Sequence, residues 1–248
     1  MCRMIFQITR EPSFLNLNVL RKFIKTCHWR YLRKYDIWGH HDLGWGVAFL
    51  IDKNHGKKLI IKKDLTPIYN ANWKILAKIK AKFMVIHARK AFPWKKNFND
   101  IHPIDINGEY ILTHNGTIRN DSFPKLNDSR LERIKNSTDL DSRKYLCSIL
   151  DKLNSGLNIK ESLETIFSQI SINIGANAFL FNTKECNIIN YHNDTFMGRH
   201  HTLFIYKDNE RIIGCTTPLS KGFLEIENKS LIKIDIESYR LEFNKLNF

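Results

Sequence analysis

Cys2, directly behind the initiator methionine in "MCRMIFQITR", is the residue of this chain best placed for covalent chemistry. Once Met1 is removed, Cys2 carries both a thiol and a free α-amino group, whose reference pKa of about 7.7–8.0 suits a base near neutral pH. One residue then supplies nucleophile and base. The plain alternative is a small, half-buried residue at the start of an edge strand. The other residue types that a thiol attacking an amide requires decide between the two.

Four segments supply such types. In "HARKA", Arg89 follows the apolar run "FMVI" and emerges where a strand ends, where its guanidinium can grip a carboxylate bidentately or form a surface ion pair. In "THNGTI", the Asn115-Gly116 step predicts a sharp turn in which Gly116 takes positive φ and exposes its N–H beside the Asn115 amide. Two convergent donors make an oxyanion hole, though Asn-Gly also closes ordinary hairpins. In "NSTDLDS", Thr138 is a candidate helix cap with Asp141 at the third helical position, and Asp139 in the first turn can present a carboxylate to an ammonium group. In "HHDLGWG", Gly44 and Gly46 around Trp45 suit close backbone packing, or simply a loop leading into a strand.

The elements that must hold these residues alternate in type. "CRMIFQI" reads as a strand and residues 17–34 as an amphipathic helix, with Leu17, Leu20, Ile24, Cys27 and Tyr31 on one face. "GWGVAFLID" and "KKLIIKK", joined by "KNHG", read as a hairpin. A short helix near residues 73–80 precedes two strand-like runs, "KFMVIHAR" and "EYILTHNGTI". Two helices follow, one carrying Leu146, Ile149, Leu150 and Leu153, the next Ile159, Leu163, Ile166, Phe167 and Ile170, joined by "NSG". Three hairpins are then expected in "AFLFNTKECNIIN", "TLFIYKDNERIIGCT" and "FLEIENKSLIKID". Strand groups flanking a helical pair predict an α+β fold of antiparallel sheets covered by helices.

Bulk properties narrow the function. The 248 residues, 43% hydrophobic, suit one domain spanning 1–248, since no repeat, low-complexity linker or Pro/Gly-rich boundary divides them. No apolar run reaches the ~20 residues of a membrane span and no signal peptide opens the chain, so a cytoplasmic protein without a membrane partner is expected. Five cysteines without a C-x-x-C pair argue against a zinc ribbon and a disulfide framework, and the pairs His40-His41 and His200-His201 lack metal-ligand spacing. No metal or other cofactor is expected. A net charge of +14 raises the question of nucleic acid. The basic residues of "LRKFIKTCHWRYLRKY" and "NWKILAKIKAKF" fall mostly on the solvated face of a helix, however, and no zinc-finger, RNP or KH-type signature accompanies them. A basic binding module for nucleic acid or an acidic protein stays the minority reading.

The order of an N-terminal Cys, "HDLGWG", "HARKA", "HPIDINGEYILTHNGTI" and "STDLD" resembles the class II glutamine amidotransferase domain, a branch of the N-terminal-nucleophile hydrolases. The likeness runs from residue 2 to about residue 153, with a weaker echo in "IIGCTTPLS". It implies a four-layer αββα sandwich. By the family's motif, Cys2 is the nucleophile with its own α-amine as base, Asn115 and Gly116 form the oxyanion hole, Arg89 holds the α-carboxylate of glutamine, and Asp139 its α-amino group. Gly44, Trp45 and Gly46 are structural in this resemblance. The chain departs from the pattern at Leu43, Phe92 and Leu140, two of which bear on the substrate pocket. The resemblance implies hydrolysis of the γ-amide of glutamine or a γ-glutamyl compound, with a separate synthase subunit as one destination for the ammonia. Another N-terminal-Cys amidase, acting on a non-glutamine amide, is the second enzymatic reading.

Overall fold

The computed structural model describes residues 2–28, 40–53, 56–90, 95–195 and 201–248. Phe92, the histidine pair member His200 and residues 29–34 of the helix expected over 17–34 lie outside the described residues, and that helix already ends at Cys27, with His28 extended.

Two antiparallel sheets stack face to face. The first runs in the order β11-β9-β10-β1-β4-β2-β3, with β1 Arg3–Phe14, β2 Trp45–Lys53, β3 Gly56–Asp64, β4 Lys80–Ala88, β9 Phe204–Lys207, β10 Arg211–Cys215 and β11 Leu224–Glu225. The second runs β13-β12-β8-β7-β6-β5, with β5 Ile104–Asp105, β6 Ile111–Ile118, β7 Ile172–Phe181, β8 Glu185–Asn190, β12 Ser230–Asp235 and β13 Leu241–Lys245. Helix α1 (Leu17–Cys27) covers the first sheet; α2 (Ser129–Asn136), α3 (Asp141–Asn154) and α4 (Ile159–Phe167) cover the second.

Three apolar clusters correspond to the three seams between four layers, and strand alternation assigns side chains to them. Met4, Phe6 and Ile8 of β1 point between the sheets, toward Phe179 and Phe181 of β7. Ile5 points the other way, into the seam with Leu20, Phe23 and Ile24 of α1. On β7, Ala178 and Leu180 likewise turn outward against Tyr145, Leu146, Ile149 and Leu163 of the helices. Phe6 meets Phe179 edge-on, ring centroids 4.8 Å apart. This is the αββα sandwich expected.

Helix ends follow from their caps. Asn16 accepts from the Asn18 and Val19 amides at the start of α1, Asp128 does the same for α2, and Asn158 with Glu161 forms a capping box on α4.

Four expectations are corrected. The hairpin read into "FLEIENKSLIKID" does not form: β11 pairs with β9 in the first sheet, whereas β12 pairs with β8 in the second, so this segment changes layers. The helix near 73–80 is a 3-10 turn over Trp73–Lys78, and Lys80 already belongs to β4. The Asn115-Gly116 step is no turn; it lies inside β6, paired with Asn177 and Ala176 of β7, and Gly116 has no positive φ. Finally, Thr138 does not cap α3. Leu140 occupies that position, Asp141 is the first helical residue, and Asp139 stands outside the helix.

Candidate active site

The position of Cys2 follows from the register of the first sheet. Arg3 on β1 pairs with Ala88 on β4, so Cys2 and the residues just past β4 lie at one end of neighbouring strands. The Cys2 thiol is half-buried there, 3.2 Å from the Lys90 carbonyl oxygen, and the Lys90 amide approaches Sγ at 3.5 Å.

Asn115 reaches the same point from the second sheet. Its side-chain carbonyl oxygen accepts from the Cys2 nitrogen at 2.8 Å, joining residues 113 positions apart. Asn115 is fully buried, and its Nδ2 has no hydrogen-bond partner among the described residues. A buried donor without a partner is costly, and sites that stabilise developing charge are where such donors occur.

Gly116 is required by proximity rather than by conformational freedom. A Cβ built on it would stand 1.8 Å from the Gly175 carbonyl oxygen on β7, so no side chain fits. The Ala176 amide donates to Tyr191 at 2.7 Å, which turns that edge of β7 toward β8. The Gly116–Ala176 pair is therefore of the non-hydrogen-bonded type, and the Gly116 N–H points to the opposite edge of β6, beyond where the two-residue β5 stops at Leu112.

Arg89 follows β4 immediately and is buried to 7% exposure. Its Nε donates to the Asp100 carbonyl at 3.1 Å and its Nη2 to the Asp100 carboxylate at 3.3 Å, while Nη1 is buried without a partner among the described residues. The "HDLGWG" segment fixes its backbone. The Arg89 amide donates to the Gly44 carbonyl at 2.8 Å, and the Leu43 amide to the Arg89 carbonyl at 3.3 Å. Gly44 needs its φ of +107° for this approach, and a Cβ on Gly46 would meet the His102 carbonyl oxygen at 2.2 Å.

Asp139 is exposed in the link between α2 and α3. Its neighbours hold it in place. Thr138 Oγ1 accepts from the Leu140 amide at 3.1 Å, and Asn120 Nδ2 donates to the Asp139 carbonyl at 2.8 Å. The Asp141 carboxylate accepts from the Ile118 amide at 3.0 Å, and His114 Nδ1 lies 2.8 Å from Ser142 Oγ, so β6 and the start of α3 are tied together. The structure thus brings Cys2, Asn115 and Gly116 together, places Arg89 at the same sheet end, and leaves Asp139 on the rim.

Sequence reasoning missed the supports. His87 is fully buried, its Nε2 3.2 Å from the His114 carbonyl, and stacks on His102 with centroids 4.2 Å apart. Burial pushes the His87 imidazole down to about 3 and His102 well below its ordinary value, so both are neutral. Asp100, the partner of Arg89, carries no sequence signal beyond its place in a polar loop. Among the described residues no group of His, Cys, Asp and Glu side chains is arranged to hold a metal ion, and no helix is long and apolar enough to cross a membrane.

Comparison with known proteins bears on this arrangement. The sequence model of the family "Glutamine amidotransferases class-II" matches residues 14–184. Comparison with curated proteins gives no match. Among solved structures the chain is similar to glutamine phosphoribosylpyrophosphate amidotransferase from B. subtilis, with a TM-score of 0.64 at 15% identity, covering 100% of this chain and 50% of that one. It therefore spans half the length of that enzyme. It is also similar to a glutamine aminotransferase class-II domain protein from Silicibacter pomeroyi, with a TM-score of 0.64 at 14% identity and 100% of both chains covered. At such identities the likeness is one of fold, and the match over residues 14–184 carries the assignment: this chain belongs to the class II glutamine amidotransferases.

Proposed function

We propose that this chain, with Met1 removed, hydrolyses the γ-amide of glutamine or of a γ-glutamyl compound through a thioester on Cys2, and that residues 2–248 act as one amidase unit. The observation that carries the reading is Asn115, whose side chain accepts from the Cys2 nitrogen at 2.8 Å and leaves its own buried amide donor unpaired.

In this mechanism the Cys2 α-amine takes the thiol proton and Sγ bonds to the amide carbon. Asn115 Nδ2 and the Gly116 N–H receive the oxyanion. The C–N bond breaks, ammonia or an amine departs with the proton returned by the α-amine, and water attacks the thioester to release the γ-carboxylate and regenerate the thiol. The free Nη1 of Arg89 serves the substrate's α-carboxylate, with Asp100 fixing the guanidinium, and Asp139 serves its α-ammonium group. Proximity and preorganised donors provide the acceleration, and no metal or cofactor enters. The ammonia goes to water or to a separate synthase subunit; turnover by the chain alone distinguishes these, since a channelled site releases little until its partner binds.

Intact-mass spectrometry before and after exposure to a glutamine-shaped electrophile tests the reading, with Cys2→Ala alongside. Loss of Met1 and a single adduct absent from the variant are expected, together with loss of all turnover in Cys2→Ala. Retained Met1, or labelling that ignores Cys2, overturns it.

A further inference from the structure

A cleft of about 530 Å³ opens beside the proposed site, walled by Asp100, Asp105, Asn97, Ser137, Thr138 and Arg143 among others. Two of these residues fix where it lies relative to a substrate. Asp100 is the ion-pair partner of Arg89, and Thr138 immediately precedes Asp139. The cleft thus borders the groups assigned to the substrate's α-carboxylate and α-amine, not the thiol that receives its γ-carbonyl. Its volume falls in the range of small-molecule sites.

The lining indicates what it would take. Arg143 uses one guanidinium nitrogen on the Asn99 carbonyl at 3.0 Å and makes no ion pair among the described residues. The remainder of its guanidinium, on the wall of the cleft, favours an anionic group beside it. Asp100 and Asp105 in the same space oppose a multiply charged one, which leaves a single carboxylate. Amide and hydroxyl side chains on the remaining wall match the hydrogen-bonding groups of a peptide unit.

We propose, resting on the amidase reading above, that the cleft is a subsite for a residue joined to the α-carboxylate of glutamine, and that the substrate class is a short peptide with N-terminal glutamine whose terminal carboxylate meets Arg143. Such a peptide keeps the α-ammonium group for Asp139 and a carbonyl oxygen for Arg89 Nη1.

The test compares kcat/KM for ammonia release from glutamine and from the dipeptide Gln-Gly with the mature full chain, against a protein-free blank because N-terminal glutamine cyclises on its own. Gln-Gly is expected to exceed glutamine by about tenfold or more. Arg143→Gln is expected to reduce the Gln-Gly to glutamine ratio by about tenfold, and Arg143→Lys to restore most of it. Glutamine turnover with a ratio at or below one, or a ratio indifferent to Arg143→Gln, overturns the subsite alone. No ammonia from either compound, with no labelling of Cys2, overturns the amidase reading and the subsite with it.

Discussion

The two ends of the proposed site are built differently. Asn115 sits within β6 and Cys2 directly before β1, on neighbouring layers whose strands are locked by ladder pairing, and one 2.8 Å hydrogen bond spans 113 residues of sequence between them. Arg89 and Asp139 belong to connections. The first is steadied by an ion pair with Asp100, the second by bonds to its flanking backbone while its side chain stays exposed. Strand-borne groups inherit the rigidity of the sheets, which a nucleophile aligned with an oxyanion hole needs. Loop-borne groups tolerate change, which suits the substrate-selecting role proposed for them.

The sharpest way to break this comparison is at Gly116. A methyl group there would lie 1.8 Å from the Gly175 carbonyl oxygen and 2.9 Å from His114 Nε2, and the Gly175 backbone cannot swing aside as a side chain can. Gly116→Ala is expected to lower stability by about 3 kcal/mol or more, beyond the usual cost of overpacking, because β6 and β7 must separate. Urea unfolding followed by circular dichroism measures it. A loss under 1 kcal/mol means that β6 gives way easily and that the nucleophile end is no more rigid than the other.

That result bears on what the sequence disclosed. The layers were legible because the short apolar runs of β1, β4 and β7, buried on both faces, and the 3.6-residue period of α3 and α4 are local signals of burial. The proposed site was legible as residue types in order: Cys2, Arg89, Asn115, Gly116 and Asp139. Their reasons were not. Asn-Gly carries a turn propensity, yet tertiary pairing with Asn177 and Ala176 makes it strand, and the glycine is there for a neighbouring strand that the local sequence does not reveal. Helix α2 went unread because its eight residues offer one buried leucine, Leu131, and little periodicity. The jump of residues 224–235 between sheets was invisible for the same kind of reason: alternation specifies faces, not partners. Asp100 and the buried histidines pair through space alone.

A second, smaller effect separates the ends by pH. His87 and His201 are buried, and burial lowers each imidazole from 6.5 to about 3. The unfolded chain therefore binds more protons than the folded one between about pH 6.5 and pH 3. Stability is fully present above 6.5 and falls with pH through that window, at about 1.4 kcal/mol per pH unit for each such histidine. His87 also touches the β6 backbone next to Asn115, at the His114 carbonyl. Unfolding free energies at pH 7, 6 and 5 are expected to decline, with a shallower slope in His87→Asn. An unchanged slope in that variant would mean that His87 is not the group taking up the proton, and that this support of the nucleophile end is insensitive to acid.

The smallest expected structural effect is at Asp139, and its smallness is the point. Its carboxylate is exposed and its anchoring runs through its own carbonyl and through Thr138 and Asp141, all of which Asp139→Asn leaves intact. Stability should stay within about 0.5 kcal/mol of the parent chain. Loss of a charge facing the substrate's ammonium group should nonetheless raise KM for glutamine about tenfold while kcat changes less, because the interaction serves ground state and transition state alike. A fall in kcat with KM unmoved would instead tie this rim carboxylate to the bond-breaking step, and the division of labour between a rigid chemical end and a tolerant binding end would not hold.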